Sequence, residues 1–322
     1  MRGGVPRGHT DQAGARPSPC PAGRRARTDR PHGRSSGRMP GSRAPGARGC
    51  ALPPRDERAA PQDAGLMLLG VDHLVIGVGD LGAAMRDYAA LGFSVVPGGR
   101  HAAGTHNALI ALADGAYLEL IAFHEPYPAH RWWAALERGG GLVDYCLQTD
   151  DLEADSAAFR RAGVAMTDPT PSVRTRPDGF AVRWVLALAE EPQRGLAPFL
   201  IRDETRRAER VPPESRHANG VMGLAGVTVA ATDVREARGW YEAVLGRPGE
   251  TLRNDDLDAD GVRFTVGPHM LEFLQPRHGS SGPVGRWVDS RGPGPYAARF
   301  TGGAPDAALD PRLSHGARLS VG

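Results

Sequence analysis

The chain has 322 residues, 40% hydrophobic and 24% charged, with a net charge of +2, a balance that fits one or two globular domains with buried cores. No apolar run approaches the ~20 residues of a membrane-spanning helix. All 39 basic residues are Arg, so Schiff-base lysine chemistry and a P-loop lysine are excluded; with 43 Gly and 28 Pro this reads as the bias of a GC-rich genome, which weakens any electrostatic reading of the arginines.

Residues 1–66 are rich in Arg, Gly, Pro and Ser and poor in aliphatic residues. Such a segment buries too little apolar surface to offset its ordering entropy, and disorder is expected. Arg24-Arg25 is not followed by an apolar stretch, so a secretion signal is rejected. A basic nucleic-acid-binding arm is one reading of the segment; an over-extended gene start with Met67 as the true initiator is the preferred one. The β-branched run Val71–Val78 predicts a strand. Asp80 is an N-cap for a helix to Leu91, with Leu81, Ala84, Tyr88 and Leu91 on one face and Gly92 after it. Strands follow at Phe93–Val96, Asn107–Ala113 and Tyr117–Phe123, with a turn at Pro97-Gly98-Gly99 and a hairpin at Asp114-Gly115. The unit is βαβββ, and a short helix over Ala129–Arg138 leads onward.

The unit repeats. Val143–Gly163 is a second strand and helix, with Asp151, Phe159 and Gly163 matching Asp80, Tyr88 and Gly92. Val164–Arg176, Val182–Leu188 and Pro198–Ile201 supply its later strands. Val227–Ala231, Val234–Leu245, Val262–Val266 and Met270–Leu274 form a third copy, in which Glu272 matches Glu119. Tyr296–Phe300, Pro305–Leu309 and Ala317–Val321 read as the strand, helix and strand of a fourth copy that lacks its last two strands. The fold class is therefore α+β: tandem βαβββ modules with curved mixed sheets paired into cups, one pair over 67–210, a linker at 211–220, and a second pair over 221–322. A cup made by the second pair would have an open side and an unprotected edge unless something covers it; this incomplete fourth module also admits a homodimer.

His73 in the first strand and Glu119 within Tyr117-Leu118-Glu119-Leu120-Ile121 carry the chemistry. If the first and last strands are neighbours, both point into the cup. A carboxylate buried there needs a partner, because an unpaired one costs several kcal/mol. A divalent metal, His73 or an Arg would each serve, and imidazole with carboxylate suits Zn, Fe, Mn or Ni. Glu272 recurs opposite Gly226 rather than a His, so a Glu in this strand also has a structural role. His101 and His106 flank a Gly-containing bend, and Thr105-His106-Asn107 is a candidate acid/base segment placed over the cup. The three cysteines, Cys20, Cys50 and Cys146, show no zinc-ribbon spacing and call for no oxidising compartment. Dinucleotide, nucleophile-elbow and nucleic-acid signatures are absent.

Paired βαβββ modules, His73 seven residues before the capping Asp80, Glu119 in the last strand, Gly98-Gly99-Arg100-His101 and Thr105-His106-Asn107-Ala108-Leu109-Ile110 together resemble the glyoxalase-like branch of the vicinal oxygen chelate superfamily. The resemblance covers Leu68 to Leu274. It implies a metal held by residues of the first and last strands of two paired modules: His73 and Glu119 from the first module and Asp144 from the second, where the family places His or Gln. The last strand of the second module offers Leu200, which cannot ligate. This departure argues against lactoylglutathione lyase and extradiol cleavage. The expectation is a cytoplasmic metal-dependent lyase, isomerase or dioxygenase-type enzyme on a small oxygen-rich molecule, with His106 or His101 as acid/base; the alternative is a metal-free ligand-binding or resistance-type protein. Neither nucleic acid nor a membrane is an expected partner.

Overall fold

The computed structural model describes residues 68–304 and 307–322; the expectations for residues 1–66, and for Met67 as initiator, lie outside them. Three βαβββ units run in order. The first is β1 (Leu68–Gly77), α1 (Leu81–Ala90), β2 (Val96–His101), β3 (Thr105–Ala111) and β4 (Tyr117–Phe123). A short α2 (Trp133–Glu137) leads to β5 (Gly141–Thr149), α3 (Leu152–Arg161), β6 (Thr170–Thr175), β7 (Ala181–Ala187) and β8 (Phe199–Asp203). After α4 (Arg207–Arg210) come β9 (Val221–Ala230), α5 (Val234–Leu245), β10 (Glu250–Asn254), β11 (Ala259–Val266) and β12 (His269–Pro276). The chain closes with α6 (Pro283–Arg291), β13 (Gly294–Gly302) and β14 (Leu319–Val321).

One device starts each module helix. Asp80, Asp151 and Asp233 accept hydrogen bonds from the backbone N–H groups of Ala83, Ala154 and Arg235, satisfying donors that a helix N-terminus leaves open. Within each module the first and last strands pair in parallel: β1 with β4, β5 with β8, β9 with β12. Modules join through their first strands, antiparallel, β1 on β5 and β9 on β13.

The first two modules close into a barrel of order β1-β4-β3-β2-β6-β7-β8-β5. The β2–β6 seam is slight, carried by Arg100 opposite Thr175 and His101 opposite Arg174. Gly99 (φ +139°) lies against the Thr175 carbonyl there, where a Cβ would collide. The last two modules form an open sheet of order β10-β11-β12-β9-β13-β14. Its concave face does not stand open: Val284 and Trp287 of α6 bury against Ala230, Ala259, Leu274 and Tyr296. The outer faces of both sheets share a core with α1, α3 and α5, in which Tyr88, Phe159, Trp240 and Tyr241 are buried. The Tyr145 hydroxyl meets that of Tyr241 at 3.0 Å and donates to the Leu196 carbonyl at 2.8 Å.

Several element expectations shift. The second strand of module one lies at Val96–His101, not Phe93–Val96, because Pro97-Gly98-Gly99 runs through a bulge between Pro97 and Gly99 instead of turning. Strand β10, which the apolar pattern did not mark, is mostly exposed. No helix forms over the described part of Pro305–Leu309; Ala308 there bridges to Ser320. Among the described residues, no helix is long and apolar enough to cross a membrane.

Candidate active site

Strand parity aims the site into the barrel. Because β4 lies beside β1, with Val75 opposite Glu119, the side chains of Tyr117, Glu119 and Ile121 face inward, each the period of two from the next. They share a cavity of about 370 Å³ with His73, His101, Thr105, Trp132, Arg174, Trp184, Phe199 and Arg210. In β1 a bulge between Val71 and His73 breaks the alternation, so both Asp72 and His73 are buried with their polar atoms on the barrel side.

His73, His101, Tyr117 and Glu119 form the cavity floor. The His73 imidazole meets Asp72 Oδ1 through Nδ1 at 2.7 Å and Glu119 Oε2 through Nε2 at 3.4 Å. Its ring stacks on Tyr117, centroids 4.6 Å apart. Asn107 Nδ2 donates to Glu119 Oε1 at 2.6 Å, and His101 Nε2 lies 3.8 Å from the same oxygen. His101 is itself held by Thr105, Nδ1 to Oγ1 at 2.8 Å. Burial opposes charge on His73, yet the hydrogen bonds to Asp72 and Glu119 prevail and raise its pKa. Burial likewise opposes charge on Glu119, but the His73 hydrogen bond and charge, then His101 and Asn107, hold its carboxyl below the usual range. Burial is the main cause that lowers the His101 pKa, so its imidazole is neutral at pH 7.

Asp72 is the hub behind His73. Arg210 grips it through Nη1 to Oδ1 at 2.8 Å and Nη2 to Oδ2 at 2.9 Å, and Arg207 pairs with it as well. Arg210 also bonds Asp203 and donates to the Tyr117 hydroxyl at 2.8 Å. Burial would raise the Asp72 pKa, but Arg210, His73 and Arg207 hold it well below the carboxylate range. Neither Asp72 nor Arg210 was marked in the sequence; an Asp beside a His inside a β-branched strand was the available signal.

The structure brings His73, Glu119 and His101 together, and sets Asp144 and His106 apart. Asp144 sits on β5, buried in the barrel, but Arg131 Nη2 and Trp132 Nε1 each donate to its Oδ2 at 2.9 Å, and the Tyr145 N–H to its Oδ1 at 3.0 Å. Its oxygens are engaged by three donors, and it does not line the cavity beside His73 and Glu119. His106 does not lie over the cup: Thr105 and Asn107 take the inward positions of β3, and the His106 ring packs on His124 on the outer side, centroids 4.2 Å apart. Glu272, the repeat of Glu119, is paired with Arg263 at 2.6 Å and accepts from Thr228 at 3.2 Å.

The floor fits a metal as a two-ligand site. The 3.4 Å between His73 Nε2 and Glu119 Oε2 matches the ~3.4 Å that two atoms, each ~2.1 Å from one tetrahedral ion, keep between them. An Asp on Nδ1 leaves Nε2 as the ligating nitrogen, the usual support of a metal-binding imidazole. Among the described residues the trio of potential ligands with atoms within 4.8 Å of one another is Asp72, His73 and Cys146. That trio is no cation site: Asp72 already carries two arginines, and burial keeps the Cys146 thiol protonated.

Comparison with known proteins agrees with this architecture. A hypothetical protein from Staphylococcus aureus superposes with a TM-score of 0.59 at 14% identity, covering 78% of this chain and 99% of its own. A mutant 4-hydroxymandelate synthase from Streptomyces coelicolor superposes with a TM-score of 0.50 at 18% identity, covering 75% of this chain and 72% of its own. At these identities the likeness is one of fold: paired βαβββ modules. The family description "Glyoxalase-like domain" matches residues 71–245. The chain belongs to this glyoxalase-like family of the vicinal oxygen chelate superfamily. No protein of curated function matches its sequence.

Proposed function

We propose that this protein is a metal-dependent enzyme that acts on a small oxygen-rich molecule held in the barrel cavity. The observation that carries the reading is the His73–Glu119 pair, 3.4 Å apart on the cavity floor with Asp72 behind the imidazole. A divalent ion held by His73 and Glu119 would polarise ligand oxygens and ease loss of a neighbouring proton. The chain's own residues supply the rest. Asp72 keeps the His73 proton on Nδ1. Asn107 holds Glu119 Oε1 and leaves Oε2 turned toward His73 Nε2. His101, neutral and held by Thr105, is placed to take or return a proton. Trp132, Trp184 and Phe199 wall the ligand from water. His106, on the outer face, has no part in the chemistry.

Metal analysis of tag-free protein tests this. One divalent ion per chain is expected, lost in His73→Ala and in Glu119→Gln. Protein with no stoichiometric metal, or a His73→Ala variant that keeps it, sinks the reading. One observation favours a second reading, metal-free ligand binding: Asp144 is spent on Arg131 and Trp132, which leaves only two protein ligands. Saturable binding of a planar apolar molecule to metal-stripped protein, with no metal in the native protein, would establish it.

A further inference from the structure

We propose that the cavity ligand carries a carboxylate on an apolar body, and that Arg174 is the residue that receives the carboxylate. The proposal rests on the barrel cavity being the binding site and does not depend on the metal.

Three arginines line the cavity: Arg131, Arg174 and Arg210. Arg131 is neutralised by Asp144, and Arg210 by Asp72 and Asp203. Arg174 differs. Only 3% of it is exposed, and among the described residues no carboxylate lies within ion-pair distance of it. Its Nη2 donates to the Arg210 carbonyl at 2.8 Å, while its Nε is buried without an acceptor. The nearby Glu119 is already held by His73 and Asn107. A buried guanidinium with no counter-charge is a liability to the fold, and the fold has no use for it: its one hydrogen bond goes to a backbone carbonyl.

Its position is that of a ligand anchor. Arg174 faces His101 across the barrel seam, at the polar end of the cavity. A metal on His73 and Glu119 would add positive charge at this end, and a bound anion is what balances it. The planar guanidinium fork matches the two oxygens of a carboxylate. Most of the remaining wall is apolar, with Trp132, Trp184, Leu186, Phe199 and Ile201 in it. The ≈ 370 Å³ of the cavity falls in the range of small-molecule sites. An aryl or branched-chain carboxylic acid fits these features.

Calorimetric titration with phenylacetate and its neutral isostere phenylacetamide tests the assignment, in full-length protein stripped of metal with EDTA and again after metal loading. Phenylacetate is expected to bind at least about tenfold more tightly than phenylacetamide in both states, a difference of about 1.4 kcal/mol. Arg174→Gln should cut the preference below about twofold and leave phenylacetamide binding unchanged. Equal binding of the two probes by the wild type, no phenylacetate binding up to about 10 mM, or a preference that survives Arg174→Gln overturns the proposal. Should Arg174→Gln fail to fold, the wild-type ratio decides alone. A carboxylate preference with no stoichiometric divalent ion in the protein as purified, before stripping, upholds this inference and removes the metal reading; stoichiometric metal without the preference does the reverse.

Discussion

Asp72 is the residue on which the site's electrostatics turn, since it joins the imidazole of His73 to the guanidiniums of Arg207 and Arg210. Removing it leaves Arg210, only 2% exposed, with Asp203 as its remaining carboxylate beside the neutral Tyr117 hydroxyl. Asp72→Ala should therefore cost about 3 kcal/mol in urea unfolding, whereas Asp72→Asn, which keeps the shape, should chiefly weaken metal binding by about 10- to 100-fold. The His73–Glu119 pair adds a pH dependence. The folded pKa of His73 is raised above 6.5, so in metal-free protein its stabilisation is complete below about pH 6.5 and is lost as pH rises through the raised value. Glu119 is depressed from 4.5, so its share is present above about pH 4.5 and is lost as pH falls toward its folded pKa. The melting temperature of stripped wild type relative to His73→Gln should thus be highest between about pH 4.5 and 6.5. Metal affinity should move the opposite way and climb with pH, because the metal needs neutral His73. A wild-type advantage that grows on the alkaline side in stripped protein would contradict the assignment. His73 and Glu119 were legible in the sequence because a titratable residue in an apolar strand demands a partner. Arg174 and Arg210 were not, among 39 arginines whose number reflects composition. The outward position of His106 was within reach: Leu109 opposes Glu119 across β3 and β4, which puts Asn107 and Thr105 on the inner face and His106 on the other.

At the scale of elements, the bulge in β1 and the seam between β2 and β6 do what periodicity cannot anticipate. Repeat spacing and Asp caps were sufficient to mark the modules, because each helix start and each apolar strand is a local signal. Closure of the barrel through Arg100–Thr175 and His101–Arg174 is not local; it joins residues some seventy positions apart, one strand of which runs through a Pro-Gly-Gly sequence that resembles a turn. Gly99 holds this seam. With φ at +139° and the Thr175 carbonyl against its missing side chain, Gly99→Ala should lower stability by about 2 kcal/mol and weaken phenylacetate binding at least tenfold, since His101 and Arg174 stand on either side. Gly104→Ala, also at positive φ but with open space around it, should lose only about 1 kcal/mol and bind as wild type. Equal binding loss in both variants would mean that the seam does not position the site.

Across the whole molecule, the two halves share one plan and part in what fills the concave side of each sheet. In the second half Trp287 and Val284 of α6 occupy it, and Glu272 is neutralised by Arg263. Trp287→Ala should open a cavity there, at a cost of about 3–5 kcal/mol in urea unfolding, yet leave the phenylacetate affinity of the barrel unchanged. In the first half the corresponding helix, α2, is short and has no buried residue, and the concave side keeps its cavity. The barrel is thus a half-finished interior, and the small molecule proposed for it would play the part that a tryptophan plays for its twin. By mass action, a ligand that completes an interior is also a folding ligand: at a hundred times its dissociation constant it adds about 2.7 kcal/mol to the native state. If the proposed ligand binds, cells short of it would hold a less durable protein, and the abundance of the protein would track the supply of that compound.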